Sequence, residues 1–139
     1  MDDPHDLQRF IDAQEPVYAQ VCAELRQGRK TSHWMWFIFP QIRGLGSSET
    51  AQYFAVANRH EAAAYAAHPL LGLRLRECTG LVAQINSKSV EQIFGYPDNL
   101  KFHSSMTLFA QAAQDNQTFI EVLNSYFSGT LDPQTLTRL

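Results

Sequence analysis

A chain of 139 residues has the size of one domain and can bury a core without staples. A charged fraction of 18% and a net charge of −3 exclude an extended nucleic-acid or anionic-membrane footprint, while leaving room for local basic pockets. Cys22 and Cys78 lie far apart with no C-x-x-C pair, and the longest uninterrupted apolar run is six residues against the ~20 that span a bilayer. Met1-Asp2-Asp3 is acidic and unlike a targeting segment, so the expectation is a cytoplasmic protein with two reduced, buried cysteines and no membrane partner.

In chain order the pattern is helical almost throughout. Asp3-Pro4 opens a short helix carrying Leu7, Phe10 and Ile11. Glu15 to Gln27 follows, with Val17, Tyr18, Val21, Cys22 and Leu25 at helical spacing and Gly28 as its stop. Trp34 to Phe39 is six consecutive apolar residues, five of them aromatic or β-branched. Periodicity alone does not separate helix from strand there, and it is read as helix because the rest of the chain offers no partner strand. Pro40, Gln41, Arg43 and the loop Gly44-Leu45-Gly46 come next, after which Ser47 or Ser48 caps a short helix with Tyr53, Phe54 and Val56. Asn58-x-x-Glu61 reads as a capping box for Arg59 to Ala67, which His68-Pro69 interrupts.

Leu71, Leu75, Cys78, Val82 and Ile85 then alternate four- and three-residue steps, the clearest buried seam in the chain. Ser89-x-x-Gln92 opens a short helix closed by Gly95. Asn99 to Ala113 carries a seam of Phe102, Met106, Phe109 and Ala113. Asp115 or Asn116 starts a helix with Phe119, Ile120, Leu123, Tyr126 and Phe127, stopped by Gly129, and Asp132-Pro133 caps a final turn through Leu136. The expected fold is a single all-α domain over residues 1–139, a compact bundle of about seven to nine short helices.

KTSHWMWFIFPQIRGLGSS, from Lys30 to Ser48, and FGYPDNLKFHSSMTLF, from Phe94 to Phe109, resemble the signature stretches of an uncharacterised, mostly bacterial family, domain of unknown function 1810. Asp6 to Phe10, Glu61-Ala62, His68-Pro69, Leu71-Gly72-x-Arg74-Leu75 and Asp132-x-x-Thr135 match it as well, so the resemblance covers nearly the whole chain. It implies a compact all-α fold and no activity. The calpastatin-like label the family has carried conflicts with this composition, because calpastatin repeats are disordered.

Three groups of residues carry candidate chemistry. Gly44 and Gly46 permit positive φ, and the capped helix after them would aim N–H groups and the Ser47 or Ser48 hydroxyl at an anion, with Lys30 or Arg43 supplying charge. The loop is neither a Walker A sequence nor a dinucleotide fingerprint, and a plain tight turn is its alternative. Lys101, Ser104, Ser105 and Leu108 share one helix face; here the alternatives are a polar cavity facing Lys101 and one serine, serine–lysine nucleophile chemistry, or a buried Ser105 hydroxyl bonded back to the carbonyl four residues earlier. Trp34 and Trp36 diverge by about 200° on a helix. Trp34, sharing a face with His33, Lys30 and Phe37, is the candidate for a pocket and Trp36 points into the core; the alternative is that both are core residues whose indole N–H groups find acceptors. The histidines show no metal-ligand spacing, no cofactor motif is present, and Asp132 with Thr135 reads as a structural cap.

Together these residues suggest a domain that binds an anionic small molecule with a planar group, a nucleotide or ADP-ribose-like metabolite. Lys30, Arg43 and Lys101 would give charge, Gly44 to Ser48 hydrogen bonds, Trp34 a stacking surface, and Gln41 orientation. Hydrolysis or transfer at a glycosidic or phosphoester bond is the chemistry such residues suit. The competing expectation is a non-catalytic protein-interaction or scaffold module. Whether Lys30, Gln41, Lys101 and Ser104 face one cavity or scatter decides between them.

Overall fold

The computed structural model describes residues 2–139. Its ten helices, among those residues, are α1 (Gln8–Gln14), α2 (Tyr18–Gln27), α3 (Met35–Ile38), α4 (Glu49–Tyr53), α5 (Arg59–Ala67), α6 (Leu71–Ala83), α7 (Val90–Phe94), α8 (Asp98–Ala112), α9 (Gln117–Phe127) and α10 (Pro133–Thr137). Six span seven residues or more, and the all-α expectation holds. None is long and apolar enough to cross a membrane.

The seam read on α6 is real: Leu71, Leu75, Cys78 and Val82 are all buried. The central member is α8, whose Phe102, Met106, Leu108 and Phe109 are fully buried while α5, α7, α9 and α10 pack around it. Phe39, leaving α3, meets Phe102 edge-on at 4.9 Å between ring centroids, and Phe94 of α7 stacks on Phe102 at 4.6 Å. Edge-to-face and offset contacts of this kind add to the area they bury. The aromatic segment and the double-serine helix, some sixty residues apart in the chain, therefore touch through a dry aromatic wedge.

Local signals were borne out with informative exceptions. Ser89 and Gln92 form a reciprocal capping box on α7. Asn58 Oδ1 accepts the Glu61 N–H, but the Glu61 carboxylate turns to Arg9 at 2.7 Å instead of completing the box. The second helix starts at Tyr18, three residues later than expected, because the chain turns through Glu15 to Val17 around Pro16. The aromatic stretch yields only four helical residues. Phe39 leaves the helix at φ −123° and ψ 72°, and Ile42 pairs with Val56 in an isolated parallel bridge. Val56 therefore serves as a partner for extended chain, not as part of α4.

Candidate functional site

One side of the aromatic wedge is open. Between the 41–48 loop, the first two turns of α8 and the C-terminal helix α10 lies a cleft of about 670 Å³, within the usual range for small-molecule sites. Trp36, Gln41, Gly44 to Ser48, Lys101, His103 and Ser104 line it, and α10 adds Asp132, Gln134 and Arg138.

Each wall has a local cause. Gly44 sits at φ +101°, where a side chain is strained, and a Cβ there would lie 2.8 Å from Arg138 Nε. Gly46 does not have the positive φ expected of it; it is needed for close approach, since a Cβ would fall 2.6 Å from that of Ala51. Ser48 is the cap, its Oγ accepting the Ala51 N–H at 3.1 Å, while Ser47 gives its carbonyl to the Gln52 amide. On α8, Lys101 Nζ stands 5.2 Å from the centroid of the half-buried Trp36 ring and 3.4 Å from Asp98 Oδ1. The Trp36 indole N–H and the Gln41 side chain have no hydrogen-bond partner among the described residues. Arg138 Nη1 donates to the backbone and side-chain oxygens of Gln134, and Nε and Nη2 have no hydrogen-bond partner among the described residues.

Asp132 caps α10 as expected, but it also lines the cleft. Its Oδ2 accepts hydroxyl hydrogen bonds from Ser104 and Thr135, each at 2.7 Å, and its backbone N–H donates to Thr107 Oγ1 at 2.9 Å. Burial works against its charge. The Thr135 and Ser104 hydroxyls, the Gln134 N–H and nearby His103 outweigh that and hold the carboxyl below its ordinary value. The cleft thus carries two cations, Lys101 and Arg138, against one ionised carboxylate.

Several expected site residues lie elsewhere. For Trp34 the core alternative holds, and Trp36, expected in the core, lines the cleft in its place. Trp34 is 1% exposed and its indole N–H donates to Glu24 Oε1 at 2.9 Å. Lys30 is withdrawn too: Nζ pairs with Asp98 Oδ2 at 2.7 Å and lies over the Trp34 ring. His33 and Arg43 are exposed and do not line the cleft; Arg43 contributes a backbone hydrogen bond to Val56. Ser105 is fully buried on the core side, its hydroxyl without a partner among the described residues. The back-bond expected of Ser105 is therefore not made there; Ser104 Oγ makes one instead, to the Leu100 carbonyl at 3.2 Å, but lies closer to Asp132. With Ser104 turned to one carboxylate and Lys101 beside another, no serine–lysine pair forms. Gln41, Gly44, Gly46, Ser47, Ser48, Lys101 and Ser104 do meet at one cleft, and the discriminating set of four contributes three members.

Sequence reasoning missed Trp36, Asp132, Gln134 and Arg138. For Trp36 a signal existed: Glu24 lies three residues after Val21 on the buried seam of α2, so it needed donors, and Trp34 was near enough to supply one. For the α10 residues there was none, because their approach depends on Ser104, 28 residues away along the chain.

The family model described as "Protein of unknown function (DUF1810)" matches residues 4–139. Among solved structures, the chain is similar to the conserved hypothetical protein Rv1873 from Mycobacterium tuberculosis, whose crystal structure was determined at 1.38 Å. The two share 55% identity with a TM-score of 0.97, over 99% of this chain and 98% of that one. No curated protein matches.

Proposed function

The chain belongs to the DUF1810 family, whose description carries no activity, and from that premise we propose that the cleft binds an anionic small molecule with a planar group, a nucleotide or ADP-ribose-like metabolite. The supporting observation is the half-buried Trp36 ring beside Lys101, in a cleft that also holds Arg138, a cation with no ion pair among the described residues. An aromatic face next to an incompletely neutralised charge suits a base joined to a phosphate. Gln41 and the 44–48 loop add hydrogen-bonding capacity. If bound ligand turns over, hydrolysis or transfer at a glycosidic or phosphoester bond is the reaction class assigned. Cys22 and Cys78 are both free and buried, and unbridged cysteines suit the cytoplasmic setting proposed here.

The test is thermal unfolding with AMP, ADP-ribose and ribose 5-phosphate. A ligand at ~100 times its dissociation constant stabilises the fold by about 2.7 kcal/mol, a shift of several degrees for a domain of this size. Lys101→Ala and Arg138→Ala should each remove most of that shift while barely changing unfolding of the free protein. Trp36→Ala should weaken AMP more than ribose 5-phosphate. No shift with any of the three, or shifts indifferent to both cation variants, would leave the scaffold-module reading in possession of the cleft.

A further inference from the structure

A cleft evolved only to hold an anion gains nothing from a carboxylate in its wall. Asp132 is nonetheless there, and it is firmly held: Ser104 and Thr135 donate to Oδ2, and Thr107 accepts its backbone N–H. Its other oxygen is barely used. Among the described residues Oδ1 receives only the Gln134 N–H at 3.4 Å, beyond good hydrogen-bond length. An ionised carboxylate accepts and never donates. Beside a phosphate or a carboxylic acid it would repel, and its own lone pairs would lose water without recompense.

The penalty disappears when the ligand brings donors. An ammonium group would serve chemically, yet the same cleft already carries Lys101 and Arg138, which oppose a third cation. Neutral hydroxyls meet no such opposition, and a vicinal pair suits a carboxylate well. We propose that Asp132 is the sugar-recognising residue of the cleft, its Oδ1 accepting hydroxyls of a ribosyl or other glycosyl phosphate. This deepens, and rests on, the anion-binding reading above. Substrate specificity is thereby divided among three walls: Trp36 takes the planar group, Lys101 and Arg138 the phosphate, and Asp132 the sugar between them.

The experiment is calorimetric titration of the full chain with AMP, 2′,3′-dideoxy-AMP and inorganic phosphate, repeated on Asp132→Asn and Asp132→Ser. Both replacements still cap α10. Wild-type protein should bind AMP about tenfold more tightly than the dideoxy analogue, the scale of a hydrogen bond to a charged acceptor. Both variants should shrink that preference to about threefold or less, and they should hold inorganic phosphate more tightly than wild type, because a repulsive charge has gone. A merely structural role would weaken every ligand together. Equal wild-type affinity for AMP and its dideoxy analogue overturns the sugar assignment and leaves the anion site standing, and this comparison needs no variant to fold. An AMP preference that survives in a folded variant places hydroxyl recognition elsewhere and also overturns it. Failure of every probe to bind removes the anion site, and this assignment with it.

Discussion

Trp34 and Trp36 stand two residues apart in one aromatic run and live in opposite environments. Around Trp34 the polar groups converge on one another. Glu24 takes the indole N–H, the Thr31 and Ser32 backbone N–H groups, the Ser32 hydroxyl and the Gln20 amide, and Lys30 closes the ring face while paired with Asp98. Around Trp36 the equivalents are incomplete among the described residues: an indole N–H without a partner, a carboxylate with one nearly unused oxygen, and Lys101 as a more distant second partner of Asp98. Burying polar groups is tolerable only when they are bonded. The closed hub therefore builds the fold, and the open side retains unspent bonding capacity that a ligand can use.

Exchanging the tryptophans tests this contrast most severely. Trp34→Ala removes a fully buried ring and strips Glu24 of a donor, and should destabilise the protein by about 3–5 kcal/mol in urea unfolding. Trp36→Ala should cost no more than about 1–2 kcal/mol, its ring being only half-buried. Equal losses, or the reverse order, would break the division between hub and cleft.

The carboxylates offer the next comparison, one that pH can read. Glu24→Ala strips several donors of a buried acceptor and should cost about 3 kcal/mol, whereas Asp132→Ala loosens a helix cap and leaves the buried Thr135 hydroxyl without its acceptor, about 2 kcal/mol. Burial opposes the Glu24 charge, but the Ser32 hydroxyl, the Thr31 N–H, Gln20 and Trp34 hold the carboxyl well below its usual value. Because its folded pKa lies under the unfolded value of about 4.3, its contribution is complete above that pH. It is lost as pH falls further, since the unfolded chain then binds the extra proton. Stability measured from pH 6 down to pH 2.5 should drop, and Glu24→Gln should flatten the drop.

What could be read beforehand divides along the same line. Helix identity was legible wherever seam and cap agree locally, as on α6 with its four-and-three spacing and on α7 with Ser89 and Gln92. The glycine loop and the Lys101–Ser104 face were legible because sequence neighbours stay neighbours there. Long-range choices were not. Whether Lys30 or Lys101 faces the cleft depends on which side of Asp98 each reaches, and that carboxylate bonds to both. Arg138 joins the site only because α10 folds back onto α8, which no periodicity announces.

The two lysines supply a third test. Lys30→Ala deprives a largely buried Asp98 of its closer partner, with Lys101 still nearby, and should cost about 2 kcal/mol. Lys101→Ala, from a more exposed pair, should cost under about 1 kcal/mol and act on ligand binding instead. Urea unfolding and AMP titration of both variants separate the roles. A Lys101→Ala protein that loses more stability than Lys30→Ala would place Lys101 in the hub.

The smallest effect belongs to Gly44. An alanine there meets a φ of +101° and should cost about 1 kcal/mol, a loss common to any glycine held at positive φ. Its Cβ also intrudes on Arg138 Nε, a flexible side chain that can swing away cheaply. If Gly44 matters because it admits that guanidinium, Gly44→Ala should weaken AMP several-fold in a protein that keeps Arg138. The same substitution should do almost nothing once Arg138 is already alanine, a non-additivity that a double-mutant cycle measures directly. Additive losses would mean that the loop itself, through its backbone, grips the ligand, and that the cationic wall of the cleft rests on Lys101 alone.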